Sequence, residues 1–211
     1  MPDRDRWASP AQWAPLTRWT QRTLMRRRIP PGAGFRYVSQ MLTAVLIAFD
    51  SPRAPLRREA VARSLGSLVE SCVQGVIADA LVLAAPDRGL DGIADEAGCA
   101  LIETPRAADG VAQALKAARR DHILLLQAGF AVERGFAEEA QDLFAYGESD
   151  RPRALRLSPD SLLTRLAPSR ARAVGLIAPK KALAAAASAD FARLARQLRA
   201  ADLTTRARRV L

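Results

Sequence analysis

Cysteine and histidine are scarce in this 211-residue chain, which contains only Cys72, Cys99 and His122 of these two types. Two cysteines are too few for a disulfide scaffold or a cysteine-ligated zinc site, so we interpret them as small core residues in a reducing compartment. One histidine excludes a histidine-rich metal site and would make a Ser-His-Asp hydrolase depend on that single residue. We interpret His122 as the first residue of a buried strand.

Long hydrophobic runs are also missing. No apolar run approaches the roughly 18 residues that cross a bilayer, which excludes an integral membrane protein. No apolar segment follows a basic start, so we predict no secretory signal and expect a cytoplasmic protein. With 49% apolar residues, the chain is typical of one globular domain with a sizeable core.

Positive charge is concentrated at the two ends of the chain. The formal net charge is +10, and residues 1–40 contain eight arginines against two aspartates. Residues 190–211 contain six arginines against two aspartates, so the segment between these two regions is neutral. A nucleic-acid-binding domain usually carries a basic face on its folded body, and we therefore predict no nucleic-acid partner.

Residues 1–40 differ from the rest of the chain in composition. They contain all three tryptophans, Trp7, Trp13 and Trp19, and the run Arg26-Arg27-Arg28. One interpretation is that residues 1–40 are a loose basic tail, or that they are not translated because the true start of the protein is Met41. The alternative is a peripheral anchor, because tryptophan and arginine favour the headgroup region of anionic membranes.

From residue 41 onward, apolar runs alternate with amphipathic segments. The pattern predicts strands at 42–49, 76–85, 99–103 and 122–127, and helices at 55–73, 90–97 and 110–120. This alternation indicates an α/β fold, a single domain with a mostly parallel, Rossmann-like sheet and helices on both faces. Ligands of such sheets bind beyond the carboxyl ends of the strands, which directs attention to residues 48–52, 84–91 and 127–133.

The last third of the chain predicts two more strands and a helix. The strands are expected at 153–157 and 173–178, and the helix runs from an N-cap at Ser188 or Asp190 to about residue 201. The arginines at 206, 208 and 209 are expected in an edge strand or tail. We therefore divide the chain into a tail at 1–40, a domain at 41–202 and a basic tail at 203–211.

The order of four segments resembles the family 2 glycosyltransferases, which have the GT-A fold of nucleotide-diphospho-sugar transferases. The segments are VLIAFDSPRA (45–54), ALVLAAPDRGLDGIADEAGC (80–99), DHILLLQAGFAVERGF (121–136) and ADFARLARQLRAAD (189–202). The third resembles the strand that leads to the family's Asp-x-Asp site, and the fourth resembles the helix that supplies the catalytic base. The resemblance covers residues 41–202 and is greatest to short, degenerate members from alphaproteobacteria.

This resemblance implies a set of functional residues. The catalytic base would be Asp190, at the position of the second acid of the family's Glu-Asp pair, with Ala189 in place of the glutamate. The donor contacts would be supplied by residues that follow the strands: Phe49, Asp50, Asp87, Asp91, Gln127 and Gly129.

The family's metal-binding acids are missing from the matching positions. Where the resemblance places Asp-x-Asp, this chain has Gln127-Ala128-Gly129. A glutamine offers one neutral oxygen and a glycine offers no side chain, whereas Mg²⁺ or Mn²⁺ is usually held by carboxylates. The resemblance makes such a cofactor possible, but we assign no metal ligands.

Structural interpretations exist for each of these residues. Asp50 is expected either to accept a hydrogen bond from a base or ribose, or to cap the helix that follows it. Asp87 and Asp91 are also typical turn and cap residues, and Asp190 is a typical N-cap. Arg193 and Arg196 would either meet a diphosphate or form a solvated helix face.

The resemblance implies transfer of a sugar from a nucleotide-diphospho-sugar to an unknown acceptor, with inversion. The alternative is a catalytically inactive module that keeps the fold without the Asp-x-Asp metal site, because fold does not guarantee activity. The expected partners are the nucleotide-sugar, the acceptor and, through residues 1–40, an anionic membrane surface.

Overall fold

The computed structural model describes residues 42–50, 55–159, 166, 170–186 and 188–210. The predictions for residues 1–40 and for a start at Met41 lie outside these residues. Within them, no helix is both long and apolar enough to cross a membrane.

Eight strands form one sheet. Their bounds are β1 (Leu42–Ala48), β2 (Ile77–Ala84), β3 (Ala100–Glu103), β4 (His122–Gln127), β5 (Phe130–Val132), β6 (Arg153–Leu157), β7 (Ala173–Pro179) and β8 (Ala201–Arg209). Seven helices can be described with their bounds in the part of the chain that the structure covers: α1 (Arg58–Gly66), α2 (Val69–Val73), α3 (Asp91–Glu96), α4 (Ala107–Ala117), α5 (Phe136–Ala145), α6 (Lys180–Ala186) and α7 (Phe191–Gln197).

The strand order is β3-β2-β1-β4-β7-β6-β8-β5. Strands β3, β2, β1 and β4 are parallel, β7 is antiparallel to both β4 and β6, β8 is parallel to β6, and β5 is antiparallel to β8. The predicted α/β class with a mostly parallel sheet is therefore confirmed.

The core lies on both faces of the sheet because consecutive residues of the central strands β1 and β4 are mostly apolar and buried. In β4, Leu124 and Leu126 join the core cluster that contains residues of α1 and α5, whereas Ile123 and Leu125 join the cluster that contains residues of α4, α6 and α7. This alternation follows from the two-residue period of a strand.

The predicted helix over 55–73 is wrong as a single element. The structure has α1 and α2 in its place, with Ser67 and Leu68 between them. Ser67 Oγ donates a hydrogen bond to Ser64 O and accepts one from the backbone N–H of Val132. The hydroxyl of Ser67 therefore joins the end of α1 to β5 at the point where a continuous helix was expected.

The basic residues near 206–209 lie in β8 rather than in a tail or at an edge of the sheet. Strand β8 pairs with β6 on one side and with β5 on the other. Leu203 and Ala207 are buried in the core. The segment from 203 to 209 thus belongs to the folded domain.

The cysteines only partly match their predicted place in the core. Cys72 is exposed and Cys99 is half-buried. Burial raises the pKa of both thiols, and the neighbouring Cys72 raises the pKa of Cys99 further. Both side chains are therefore protonated at neutral pH.

Candidate functional site

Three parallel strands end side by side at one edge of the sheet. Ala48 of β1 is in register with Ala84 of β2, and Ile47 of β1 is in register with Gln127 of β4. Phe49, Ala85 and Gln127, at or just beyond the strand ends, consequently share the carboxyl edge, as the sequence predicted. This is the edge at which open α/β sheets bind ligands.

Asp50 lies one residue beyond Phe49 and forms a two-point ion pair with Arg88. Arg88 Nη1 donates to Asp50 Oδ2 and Nη2 donates to Oδ1, both at 2.8 Å. The backbone N–H of Leu56 also donates to Asp50 Oδ1 at 2.7 Å. The carboxylate therefore joins the loop after β1 to the loop after β2, while 47% of its side chain stays exposed.

The loop after β2 is held by two arginines and contains two unusual backbone conformations. Asp87 and Gly89 both have φ near 60°, in the left-handed region. Arg88 Nη2 donates to Leu56 O at 2.9 Å, and Arg58 donates to Gly89 O. Asp87 and Asp91 are exposed, and Asp91 is the first residue of α3.

The turn between β4 and β5 contains Gln127 and Gly129. Gly129 has φ +88°, so only glycine adopts this turn without strain. Its N–H donates to the buried Ser64 Oγ at 3.0 Å, and its carbonyl accepts from Val210 N at 2.9 Å. The position where the resemblance places a metal-binding carboxylate is therefore a structural glycine.

Arg172 occupies the same edge of the sheet, just before β7. Its Nη2 donates to Gln127 Oε1 at 2.9 Å, and its guanidinium lies 5.9 Å from the centre of the Phe130 ring. The side chain is exposed, and no ion pair within the described ranges involves it. Arg172 is thus a cation that contacts a predicted site residue and forms no ion pair with any residue that the structure describes.

The donor set at this edge does not fit a divalent metal. Gln127 contributes one amide oxygen, which is already hydrogen-bonded to a guanidinium, and Gly129 contributes no side chain. In the part of the chain that the structure describes, no three His, Cys, Asp or Glu side chains are grouped to hold a metal ion.

Asp190 caps α7. Its Oδ1 accepts hydrogen bonds from the N–H groups of Ala192 and Arg193 at 2.8 and 3.2 Å. Among the described residues no hydrogen bond ends on Oδ2, and the residue is exposed. The carboxylate thus has a structural role and one oxygen that is free to act on a ligand.

Phe49 and Ala189 are partly buried against the core cluster on the α4, α6 and α7 side. Of the predicted site residues, Asp50 and Gln127 lie at the shared edge, Phe49 is held by the core there, and Asp190 belongs to the helix layer of that same side. Arg193 and Arg196 are exposed on α7, and Arg196 Nε donates to Ala192 O.

An open depression of about 510 Å³ lies away from this edge, between the start of α5 and β8. Its walls include Glu133, Glu139, Thr204 and Arg206. Burial alone would raise the pKa of Glu139, but hydrogen bonds from the Thr205 hydroxyl and from the N–H groups of Thr204 and Thr205 outweigh it and hold the pKa below its ordinary value. These bonds engage both carboxylate oxygens, which identifies Glu139 as a link between α5 and β8.

Sequence reasoning missed Arg88, Arg172 and Ser64. Arg88 lies inside a segment that the pattern had selected, so its charge beside Asp87 and Asp91 was an available signal. Arg172 and Ser64 lie 45 and 65 residues from their partners at the edge, and nothing local in the sequence distinguishes them.

No protein-family model matches the chain, and no curated protein matches it. Solved structures do. Glucosyl-3-phosphoglycerate synthase from Mycobacterium tuberculosis matches with a TM-score of 0.54 at 14% identity, over 77% of this chain and 69% of that one.

Two further solved structures match at similar levels. A 4-diphosphocytidyl-2C-methyl-D-erythritol synthase matches with a TM-score of 0.53 at 15% identity, over 78% of this chain and 89% of that one. A putative glucose-1-phosphate thymidylyltransferase from Bacillus anthracis matches with a TM-score of 0.53 at 9% identity, over 79% and 88%. The chain therefore has the fold that these transferases share, a GT-A-like α/β fold.

Proposed function

We propose that this protein binds a nucleotide-diphospho-sugar at the carboxyl edge of β2, β1 and β4 and transfers its sugar to an acceptor with inversion, as a family 2-like glycosyltransferase. The observation that carries the proposal is the convergence of Asp50, the loop after β2 and Gln127 at that edge. The names of the proteins that share the fold, a glucosyl-3-phosphoglycerate synthase, a 4-diphosphocytidyl-2C-methyl-D-erythritol synthase and a glucose-1-phosphate thymidylyltransferase, support a ligand of this general class.

The reaction needs a base and a site for the leaving group. Asp190 would take the proton of the acceptor hydroxyl on Oδ2 as the hydroxyl oxygen attacks the anomeric carbon. The bond from that carbon to the β-phosphate oxygen breaks, and the nucleoside diphosphate leaves with the electron pair. Asp50, with Asp87 and Asp91 in the neighbouring loop, would contact the base and ribose, and Phe49 would pack beneath them.

The second candidate is a nucleotide-sugar-binding module without catalysis. It is favoured by one observation, the use of Gln127 and Gly129 in a hydrogen-bonded turn where the resemblance places acids. The two candidates share the ligand and differ in turnover.

Isothermal titration calorimetry of the full chain with UDP- and GDP-sugars tests the shared part. We expect binding of at least one donor, weakened by Asp50→Ala because this removes both the carboxylate and its hold on Arg88. Asp150→Ala is the matched control, since Asp150 is 91% exposed beside His122, at the opposite edge of the sheet. Failure of every nucleotide-sugar to bind would refute both candidates.

Release of nucleoside diphosphate, with water as the acceptor, separates the two candidates. Asp190→Asn keeps an N-cap that is as good as aspartate but cannot take a proton. We expect an unchanged melting temperature and loss of turnover. If the wild-type chain binds donor but releases no nucleoside diphosphate with water or with any offered acceptor, the transferase is excluded and the non-catalytic binding module is supported.

A further inference from the structure

We propose that Arg172 takes the place of a divalent metal and holds the diphosphate of the donor, so that nucleotide binding is independent of metal. This inference rests on the proposed function, because it assigns the diphosphate to the edge at which Gln127 lies.

The position of Arg172 is the first support. Gln127 ends β4, the strand next to β1, and its amide oxygen accepts from Arg172 Nη2 at 2.9 Å. The guanidinium is therefore fixed at the carboxyl edge, where ligands of parallel sheets bind, and it remains exposed to an incoming anion.

The charge balance at this edge is the second support. Asp50 neutralises Arg88 there, and Asp202 neutralises Arg156, with Nε–Oδ1 at 2.6 Å, elsewhere in the sheet. Arg172 is held instead by a neutral amide and by the face of Phe130, neither of which cancels its charge. A glutamate at 127, which has the same shape as glutamine, would place a carboxylate oxygen at this bond and form an ion pair with Arg172, whereas glutamine orients the guanidinium and leaves it cationic.

The chemistry of the group is the third support. A guanidinium presents parallel N–H donors that match two phosphate oxygens, and its charge is independent of pH in the physiological range. With Nη2 bonded to Gln127, Nε and Nη1 donate to no described residue and can donate to phosphate. Arg172 can thus stabilise the charge of a leaving diphosphate without the carboxylate-held cation that the donor set fails to accommodate.

The test measures binding of UDP and GDP, with uridine and guanosine as probes that lack phosphate, to the full chain in EDTA and in MnCl2. We expect one nucleoside diphosphate to bind in EDTA with a Kd within about twofold of that in Mn²⁺. Arg172→Ala should weaken that binding by roughly tenfold to hundredfold, the range expected for lost hydrogen bonds to a charged group.

Four comparisons make the result specific. Arg172→Lys should retain part of the affinity, because it keeps the charge and loses the two-point geometry. Gln127→Glu should weaken binding in EDTA, because it keeps the shape of the side chain and neutralises Arg172. Arg119→Ala, which removes an exposed arginine just before β4 at the opposite edge, should leave the Kd unchanged. Binding of the matching nucleoside should not respond to Arg172→Ala, and circular dichroism should show the same melting temperature.

The outcomes separate this inference from the proposed function. Binding of nucleoside diphosphate only in Mn²⁺, or equal binding by Arg172→Ala and the wild type, overturns the role of Arg172 and leaves the proposed function standing. Absence of nucleoside-diphosphate binding in both buffers overturns both.

Discussion

At the scale of single residues, Gly175 marks a close approach between β7 and its two neighbouring strands. A Cβ at this position would lie 3.1 Å from Leu125 O, a backbone atom of β4, and 3.1 Å from a methyl carbon of Leu155. Gly175→Ala should therefore lower the free energy of unfolding by about 1–3 kcal/mol, as over-packing of a filled core does. Urea denaturation followed by circular dichroism measures this change.

Gly66→Ala is the matched control for that substitution. A Cβ at Gly66, the last residue of α1, meets no atom within 4 Å. This variant should gain about 0.4–1 kcal/mol because alanine restricts the unfolded chain. Equal effects of the two substitutions would contradict the close packing of Gly175 against β4.

The site was predictable at this scale only where a residue follows a strand. Asp50 and Gln127 were found because each stands at the end of an apolar run, which places it at the ligand-binding edge. Asp50 then proved to bind Arg88 and the N–H of Leu56, so both carboxylate oxygens have structural partners. Arg172 could not be found, since the chain has many arginines and only tertiary structure brings this one to Gln127.

At the scale of elements, α1 supports the turn between β4 and β5. The buried hydroxyl of Ser64 donates to Ala60 O at 2.8 Å and accepts from Gly129 N at 3.0 Å. Ser64→Ala leaves the Gly129 N–H without this acceptor and should cost about 1–3 kcal/mol of unfolding free energy. Urea denaturation of this variant against the wild type is the measurement, and an unchanged midpoint would contradict the role of α1 in holding the turn.

The link between α5 and β8 should make stability depend on pH. Hydrogen bonds from Thr204 and Thr205 lower the pKa of Glu139 in the folded state below its ordinary value of 4.5. The stabilisation is therefore present above that value and is lost as the pH falls through the lowered pKa.

Glu139→Gln tests this link. The difference in unfolding free energy between the wild type and Glu139→Gln should be larger at neutral pH than in acid below the ordinary glutamate value. Thermal melts at several pH values give this difference. A difference that stays constant from neutral pH to acid would contradict a depressed pKa at Glu139.

Elements with a strong local sequence pattern were predicted from the sequence, and elements with a weak pattern were not. The strand over 122–127 was predicted with its observed bounds because apolar residues fill it between polar ends. Strand β5 is three residues long and helix α5 follows it closely, so neither was predicted. The break between α1 and α2 depends on a serine that binds a distant N–H, which periodicity does not report.

At the scale of the whole molecule, the sequence predicted the class of sheet and not its second half. Alternating strands and helices indicated parallel neighbours, and β3, β2, β1 and β4 confirm this. The antiparallel placement of β7 between β4 and β6 depends on which strand the chain returns to. Local periodicity carries no information about that choice.

The distribution of charge leads to a prediction for the full chain. Residues 1–40 carry a net charge of +6 with all three tryptophans. We expect the full chain to sediment with vesicles that contain anionic lipid, and salt to weaken this binding. A chain without residues 1–40 should remain folded and lose this binding, and vesicles of neutral lipid are the control. Absence of binding by the full chain would exclude a membrane anchor.

The hydrogen bond from Val210 to Gly129 has a practical consequence. Any polypeptide that continues beyond Val210 emerges beside the turn that follows β4, so an affinity tag or fluorescent fusion at that end would compete with small molecules for the carboxyl edge of the parallel strands. Ligand assays should therefore use protein tagged at the other terminus or freed of its tag by proteolysis.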